Sequence, residues 1–133
     1  MPGNLEVHLV TPEREVWVGE AGIVVARAID GDVGILPGHA PMVAALAVGP
    51  LFIEREGEGR AAYAVDGGFV HVVSGDDGTR VDVLAEHAEL AEEIDAAEAR
   101  RFEERAAELR DAERYAEART ELAKGLTRER LQG

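Results

Sequence analysis

Cysteine is absent from the chain. That excludes disulfides and thiolate chemistry, and it suits a reducing compartment. Aromatic residues make up only 5% of the sequence, so aliphatic side chains must fill whatever core forms. No apolar run approaches the roughly 20 residues that a bilayer span requires. Bases are scarce: 14 Lys and Arg stand against 27 Asp and Glu, a net charge of −13. A surface so acidic repels nucleic-acid phosphates and anionic lipid. Neither nucleic-acid binding nor direct membrane insertion is expected, and any membrane association should run through another protein. Met1-Pro2-Gly3-Asn4 has no basic region or apolar core, so no signal peptide is expected there. What is present is 46% hydrophobic residues in 133. That is too many for disorder and enough for one domain, or a small domain with an appendage.

The first two thirds of the sequence is written in strands and turns. Leu5 to Leu9 alternates apolar and polar residues, as a half-buried strand does. Val16 to Val18, Met42 to Leu46, Leu51 to Glu56, Ala61 to Val65, Phe69 to Val73 and Arg80 to Leu84 read the same way. Glu20 to Ile29 is a longer apolar run, expected of a strand covered on both faces. Gly49-Pro50, Asp66-Gly67-Gly68 and the segment Ser74 to Thr79 punctuate these runs. Turn signals about every ten residues point to an antiparallel sandwich or barrel.

At about Ala85 the composition changes. Glycine disappears until Gly125, proline does not return, and Ala, Glu and Arg dominate. This is helix composition, which divides the chain into a β unit, residues 1–86, and a helical unit, residues 87–133. Glu92 to Leu109 reads as one helix. Arg110-Asp111-Ala112 is the expected break, with Asp111 as N-cap of a second helix, though one continuous helix is equally consistent. Tyr115, Ala118, Leu122 and Leu126 share a face of the second helix. Leu90, Ile94, Phe102, Ala106 and Leu109 form a broader stripe on the first. Alanine-rich helices bury little area, and Gly125 costs about 1 kcal/mol relative to alanine. The hairpin should therefore be only marginally held, with folded and extended forms within a few kcal/mol.

The most constrained stretch is Gly31 to Pro41, Gly-Asp-Val-Gly-Ile-Leu-Pro-Gly-His-Ala-Pro. Leu36-Pro37-Gly38-His39 fits a type II turn, with proline presetting φ and glycine taking the positive φ. A rigid reversal carrying His39 at its apex is expected. Chemistry-bearing patterns are missing. Lys124-Gly125-Leu126-Thr127 lacks the glycine loop of a phosphate cradle, and Gly34 spoils a calcium loop at Asp30-Gly31-Asp32. His8, His39, His71 and His87 lack metal-ligand spacing, and nothing suggests a nucleophile, so an independent enzyme is not expected.

The glycine-proline stretch resembles a run in the epsilon subunit of the F-type ATP synthase of bacteria and plastids. Val65-Asp66-Gly67-Gly68-Phe69-Val70-His71-Val72, Val83 to Glu89 and Glu121-Leu122-Ala123-Lys124 follow in the family's order and spacing. The resemblance spans nearly the whole chain. It implies an α+β protein, a flattened ten-stranded antiparallel β-sandwich followed by a two-helix α-hairpin. It also implies a non-catalytic central-stalk rotor subunit at the cytoplasmic face of the cell membrane, coupling proton flow to ATP synthesis and restraining ATP hydrolysis through its helices. The implied partners are the gamma subunit, the c-ring and, for the helices, the alpha and beta catalytic subunits. His39 matches a turn that lies against gamma, and Asp32 a loop that meets the c-ring, although both also read as ordinary solvated turn residues.

Some members bind ATP through Ile-Asp-x-x-Arg-Ala. Here the motif is Ile94-Asp95-Ala96-Ala97-Glu98-Ala99, so a carboxylate stands where the motif has a cation. Glu89, Asp95 and Arg105 still match the site. Charge reversal beside a polyphosphate weakens binding, so ATP is implied at most as a weak regulatory ligand. The residues alone read Asp95 and Glu98 as first-turn acids favoured by the helix dipole.

Charge divides unevenly: residues 1–86 carry net −9, residues 87–112 net −5, and residues 113–133 net +1. Arg119, Lys124 and Arg128 form either a basic strip for an acidic partner or a solvated face paired with Glu117 and Glu121. The alternative to the family reading is a stand-alone β-sandwich binding module with a helical oligomerisation tail.

Overall fold

A computed structural model describes residues 4–108 and 115–132. Seven strands precede two helices: β1 (Leu5–Val10), β2 (Glu15–Ala28), β3 (Gly31–Ile35), β4 (Met42–Arg55), β5 (Gly59–Gly75), β6 (Gly78–Ala85), β7 (Ala88–Leu90), a 3-10 turn (Ala91–Glu93), α1 (Ala96–Glu108) and α2 (Tyr115–Gln132). The sheet order is β1-β6-β5-β4-β2-β3, with β7 on β5, and β1 also pairs with β2. That last pairing closes β1, β6, β5, β4 and β2 into a ring. All pairings are antiparallel except β1 with β6.

The ring is flattened into two layers because its long strands serve both. The first half of β2 pairs with β1 and the second with β4 and β3. β5 continues through Gly67 and Gly68, pairing first with β7 and then with β6. The expected breaks at Gly49-Pro50 and Asp66-Gly67-Gly68 are therefore irregularities within single strands. Fewer, longer strands replace the ten short ones. Alternation holds along them: Leu5, Val7 and Leu9 meet Val70, Val72, Val81 and Val83 between the layers, all fully buried. Tyr63 is the one buried aromatic of this core, which is otherwise aliphatic.

Two strands were not legible. Gly31–Ile35 lies within the stretch read as a reversal, yet it pairs with β2 from Val24 to Ala28. β7 lies beyond Glu86 and adds three residues to the sheet against Tyr63, Ala64 and Val65. The type II turn is present: the His39 amide donates to the Leu36 carbonyl at 3.0 Å, and Gly38 has φ +88°.

The first helix begins later than Glu92. Leu90 and Ile94, at either end of the 3-10 turn, are extended. Asp95 then caps α1, its carboxylate accepting the Glu98 amide at 2.7 Å. The expected break at Arg110-Asp111-Ala112, with its Asp111 cap, lies outside the described residues. α2 packs on α1 and also on β4 and β5. Its buried face is not the expected apolar stripe. Leu122 is 42% exposed, whereas Gly125, Thr127 and Arg128 are buried. Gly125 is where the helices cross. A Cβ there would lie 2.6 Å from Glu103 Cγ and 2.9 Å from the Ala99 carbonyl oxygen. The backbone contact cannot yield, so the glycine serves the crossing. We expect Gly125→Ala to weaken the α1–α2 contact by about 1–3 kcal/mol through overpacking, despite its better helix propensity. Faster hydrogen exchange of α1 amides would show this; slower exchange would contradict it.

Candidate functional site

Asp66 stands on β5 just before the strand bends, and its register partner on β4 is Val48. Two positions of β5 away, Ala64 pairs with Glu89 of β7. Alternation puts Asp66 and Glu89 on the outer face of this layer, where α2 lies. Into this pair α2 inserts Arg128, whose side chain is wholly buried. Its Nη1 donates to Asp66 Oδ1 at 2.9 Å and its Nη2 to Asp66 Oδ2 at 2.8 Å, a bidentate fork. Its Nε donates to Glu89 Oε1 at 2.8 Å, and Nη1 also donates to the Lys124 carbonyl at 3.0 Å. The Phe102 ring of α1 lies 4.6 Å from the guanidinium carbon, a cation–π contact. One side chain thus ties together β5, β7, α1 and α2. Burial opposes the charge of Arg128, but Asp66 and then Glu89 outweigh it and raise its pKa above the ordinary value.

The structure gathers only part of the sequence-derived site. Glu89 is in the cluster and Asp95 is a helix cap. Arg105 points away, its Nη1 3.5 Å from Glu121 of α2. The recess lined by Glu98, Arg101, Phe102 and Arg105 measures ≈ 120 Å3. That is well below the roughly 300 Å3 at which small-molecule sites begin. The basic strip is divided: Arg119 is exposed, Lys124 is half-buried and 3.8 Å from Glu121, and Arg128 is buried in the cluster. In this conformation Arg128 is not available to a partner, because two sheet carboxylates claim it. Asp32 is exposed on β3 and pairs with Arg27 Nε at 3.0 Å. His39 is half-buried, and its turn is tied to the β5–β6 hairpin: Gly38 donates its amide to Thr79 Oγ1, and Ser74 Oγ donates to the His39 carbonyl.

The other layer carries a feature that sequence reasoning missed. Its outer face is formed by β4, β5, β6, β1 and the start of β2. One cross-strand row runs Val43, His71, Asp82, His8, Val18, and the next runs Ala45, Phe69, Leu84, Val10. Val18, Val43, Phe69, Val73 and Leu84 on this face are 44–67% exposed. Phe69 to Val73 is apolar at alternate positions on both faces, a signal of two-sided cover. Among the described residues only the inner face is covered. So large an exposed aliphatic and aromatic patch marks a docking surface.

Residues 4–91 match the family described as ATP synthase, Delta/Epsilon chain, beta-sandwich domain. The chain belongs to the epsilon-subunit family of the F-type ATP synthase. It is 47% identical over 131 residues to the ATP synthase epsilon chain of Thermobifida fusca, covering 96% of this chain and 88% of that protein. It is 42% identical over 127 residues to that of Streptomyces coelicolor, covering 94% and 99%. Among solved structures, a chain of the Euglena gracilis mitochondrial ATP synthase, in its OSCP/F1/c-ring assembly, superposes with TM-score 0.84 at 26% identity. The match covers 100% of this chain and 84% of that one. A chain of the Tetrahymena thermophila central stalk and c-ring shares the fold, with TM-score 0.64 at 15% identity over 98% and 97%. Epsilon subunits are non-catalytic components of a membrane-associated complex. Among the described residues no helix is long and apolar enough to cross a membrane.

Nothing in the sequence pattern pairs position 66 with position 128. Their contact follows from the fold and tests directly. Arg128→Ala leaves the Asp66 carboxylate buried without its cation, which costs about 3–5 kcal/mol. The expected outcome is a hairpin that a protease removes readily, while the sandwich still unfolds in one cooperative step. Equal protease resistance in the variant would mean that the cluster does not hold the helices.

Proposed function

We propose that this chain couples the rotor of an F-type ATP synthase and restrains its ATP hydrolysis. On this reading the sandwich, residues 1–86 with β7, is the docking unit, and the helices are the regulatory unit. The carrying observation is the division of labour between the two sheet faces. One face holds the hairpin through Arg128, and the opposite one presents Phe69, Val43 and Leu84 to a partner. The solved relatives come from central-stalk and c-ring assemblies, which supports the gamma subunit as that partner. Ile29, Leu36, Asp32 and His39 are exposed or half-exposed around the β2–β3 and β3–β4 turns. We assign Asp32 to the polar loops of the c-ring and His39 to gamma. The location is then the cytoplasmic face of the cell membrane, reached through these partners.

Regulation follows from the latch. Released from Asp66 and Glu89, Arg128 rejoins Arg119 and Lys124 on α2, in the only segment with net positive charge. That strip then suits an acidic surface of the alpha and beta subunits. ATP, if it acts on the hairpin, acts weakly, because Glu98 adds a carboxylate where a phosphate would need a cation.

Three outcomes are expected. Phe69→Glu with Val43→Glu abolishes co-purification with gamma while leaving the isolated fold unchanged; retained binding moves the interface elsewhere. Deleting residues 113–133 raises ATP hydrolysis by the assembled complex several-fold, and equal rates would leave the chain a mechanical coupler. Calorimetry of the unaltered chain shows no response at millimolar ATP, and tight binding would overturn the reading of Glu98.

A further inference from the structure

The connection from β3 to β4 passes from one layer to the other. Ile35 pairs with Val24 in the first, and Met42 pairs with Val72 in the second. Two hydroxyls of the β5–β6 hairpin hold residues 36–41 between them. Thr79 and Ser74 pair across β6 and β5, and Thr79 also pairs with the fully buried Leu5 of β1. Thr79 itself is buried. The Gly38 amide donates to Thr79 Oγ1 at 2.8 Å. Ser74 Oγ lies 3.1 Å from Thr79 Oγ1 and also bonds the His39 carbonyl. A hydroxyl has one proton to give. The His39 carbonyl can only accept, so Ser74 spends its proton there. Ser74 then meets Thr79 only as an acceptor, and Thr79 supplies that proton. The bonds run one way: Gly38 amide to Thr79, Thr79 to Ser74, Ser74 to the His39 carbonyl.

The imidazole of His39 is fixed in the same manner. Its Nδ1 lies 2.7 Å from the Ala40 carbonyl oxygen, which has no proton to offer. Nδ1 therefore carries the hydrogen, and the neutral ring has a bare Nε2 that accepts. The His39 amide donates to the Leu36 carbonyl at 3.0 Å. Amide, carbonyl and Nδ1 are thus all engaged within the turn and its hairpin, and Nε2 takes none of these bonds. Four residues further on, Val43 is 67% exposed and heads the outer row of the apolar face. The turn is continuous with that face.

We propose that Ser74 and Thr79 are positioning residues, whose clip holds the turn so that His39 offers Nε2 as an acceptor to a hydrogen-bond donor of gamma. This rests on the assignment of His39 to gamma. The donor is a hydroxyl, an amide N–H or the N–H of a cation; a bare carbonyl or carboxylate has nothing to give a neutral ring. A turn already held in its bound form loses little freedom on docking. Cutting the clip leaves the Gly38 amide or the His39 carbonyl without its partner. Without a fixed Ala40 carbonyl the ring takes either tautomer, and the contact loses its direction.

Thr79→Val keeps the shape of the side chain and removes the hydroxyl. Ser74→Ala removes the second link at a half-buried position, a milder change for the fold. Each should weaken binding of the full chain to gamma about tenfold, and Thr79→Ser, which restores the hydroxyl, should bind as the unaltered chain does. His39→Ala should cost about the same in the unaltered chain and little more in Thr79→Val, because the clip acts through the ring. Nitrogen-15 spectra of the isolated chain in mildly alkaline solution, where imidazole is neutral, read the tautomer directly. The hydrogen should sit on Nδ1 in the unaltered chain and in Thr79→Ser, with a mixture in Thr79→Val. Hydrogen on Nε2 in the unaltered chain, no rescue by Thr79→Ser, or additive losses with His39→Ala would each overturn the proposal. A loss in His39→Ala with none in Thr79→Val and Ser74→Ala would refute the clip and keep gamma as the partner of His39. Normal binding by His39→Ala would remove that partner, and the proposal with it.

Discussion

Arg128 is the largest fully buried side chain among the described residues, and it is charged. An unpaired guanidinium in that position would be prohibitive, so its position dictates its surroundings. Asp66 must present both oxygens, β7 must bring Glu89 to the same spot, and α2 must lie along β4 and β5. Gly125 lets α1 come close enough for Phe102 to cover the guanidinium. A buried ion pair is seldom the most stable way to fill such a space, and hydrophobic groups of equal volume often do as well or better. What it offers here is one defined seating. Both partners are well solvated once apart.

That property separates the two outer faces of the sandwich. The face under the hairpin is closed by an ionic latch that water can replace. The opposite face carries an apolar row over four strands, with Phe69 and Leu84 paired across β5 and β6. Burial of such residues is worth about 1.5–3 kcal/mol each and is not readily undone. A permanent neighbour suits the apolar face and a conditional one suits the latch. The proposed function, in which the chain stays attached while its helices change position, would use both.

Much of this was legible in the sequence. The change of composition near Ala85 announced the helices, although β7 lies beyond it, and the Pro37-Gly38 turn was readable from residue chemistry alone. The number of strands was not. Breaks inferred at Gly49-Pro50 and Gly67-Gly68 are bends that strands absorb, because pairing on both sides continues through them. β3 and β7 are short and owe their extended form to partners distant in sequence. The helix faces misled for a related reason. Leu122 sits on the apolar stripe yet faces solvent, because the buried side of α2 was chosen by Arg128 and by the glycine crossing. No periodicity announces an arginine as core. Glu98 was visible as a departure from the ATP motif, and Glu89 as a match to it, but that Glu89 holds Arg128 required the fold.

The central claim is that Asp66 and Arg128 hold the hairpin jointly, rather than each serving its own element. A double-mutant cycle read by native-state hydrogen exchange of α2 amides tests it most directly. Asp66→Asn and Arg128→Gln should each lower the opening free energy, and the double variant should cost less than their sum by about 2 kcal/mol or more. Additive losses, with no coupling between the two positions, would contradict the account.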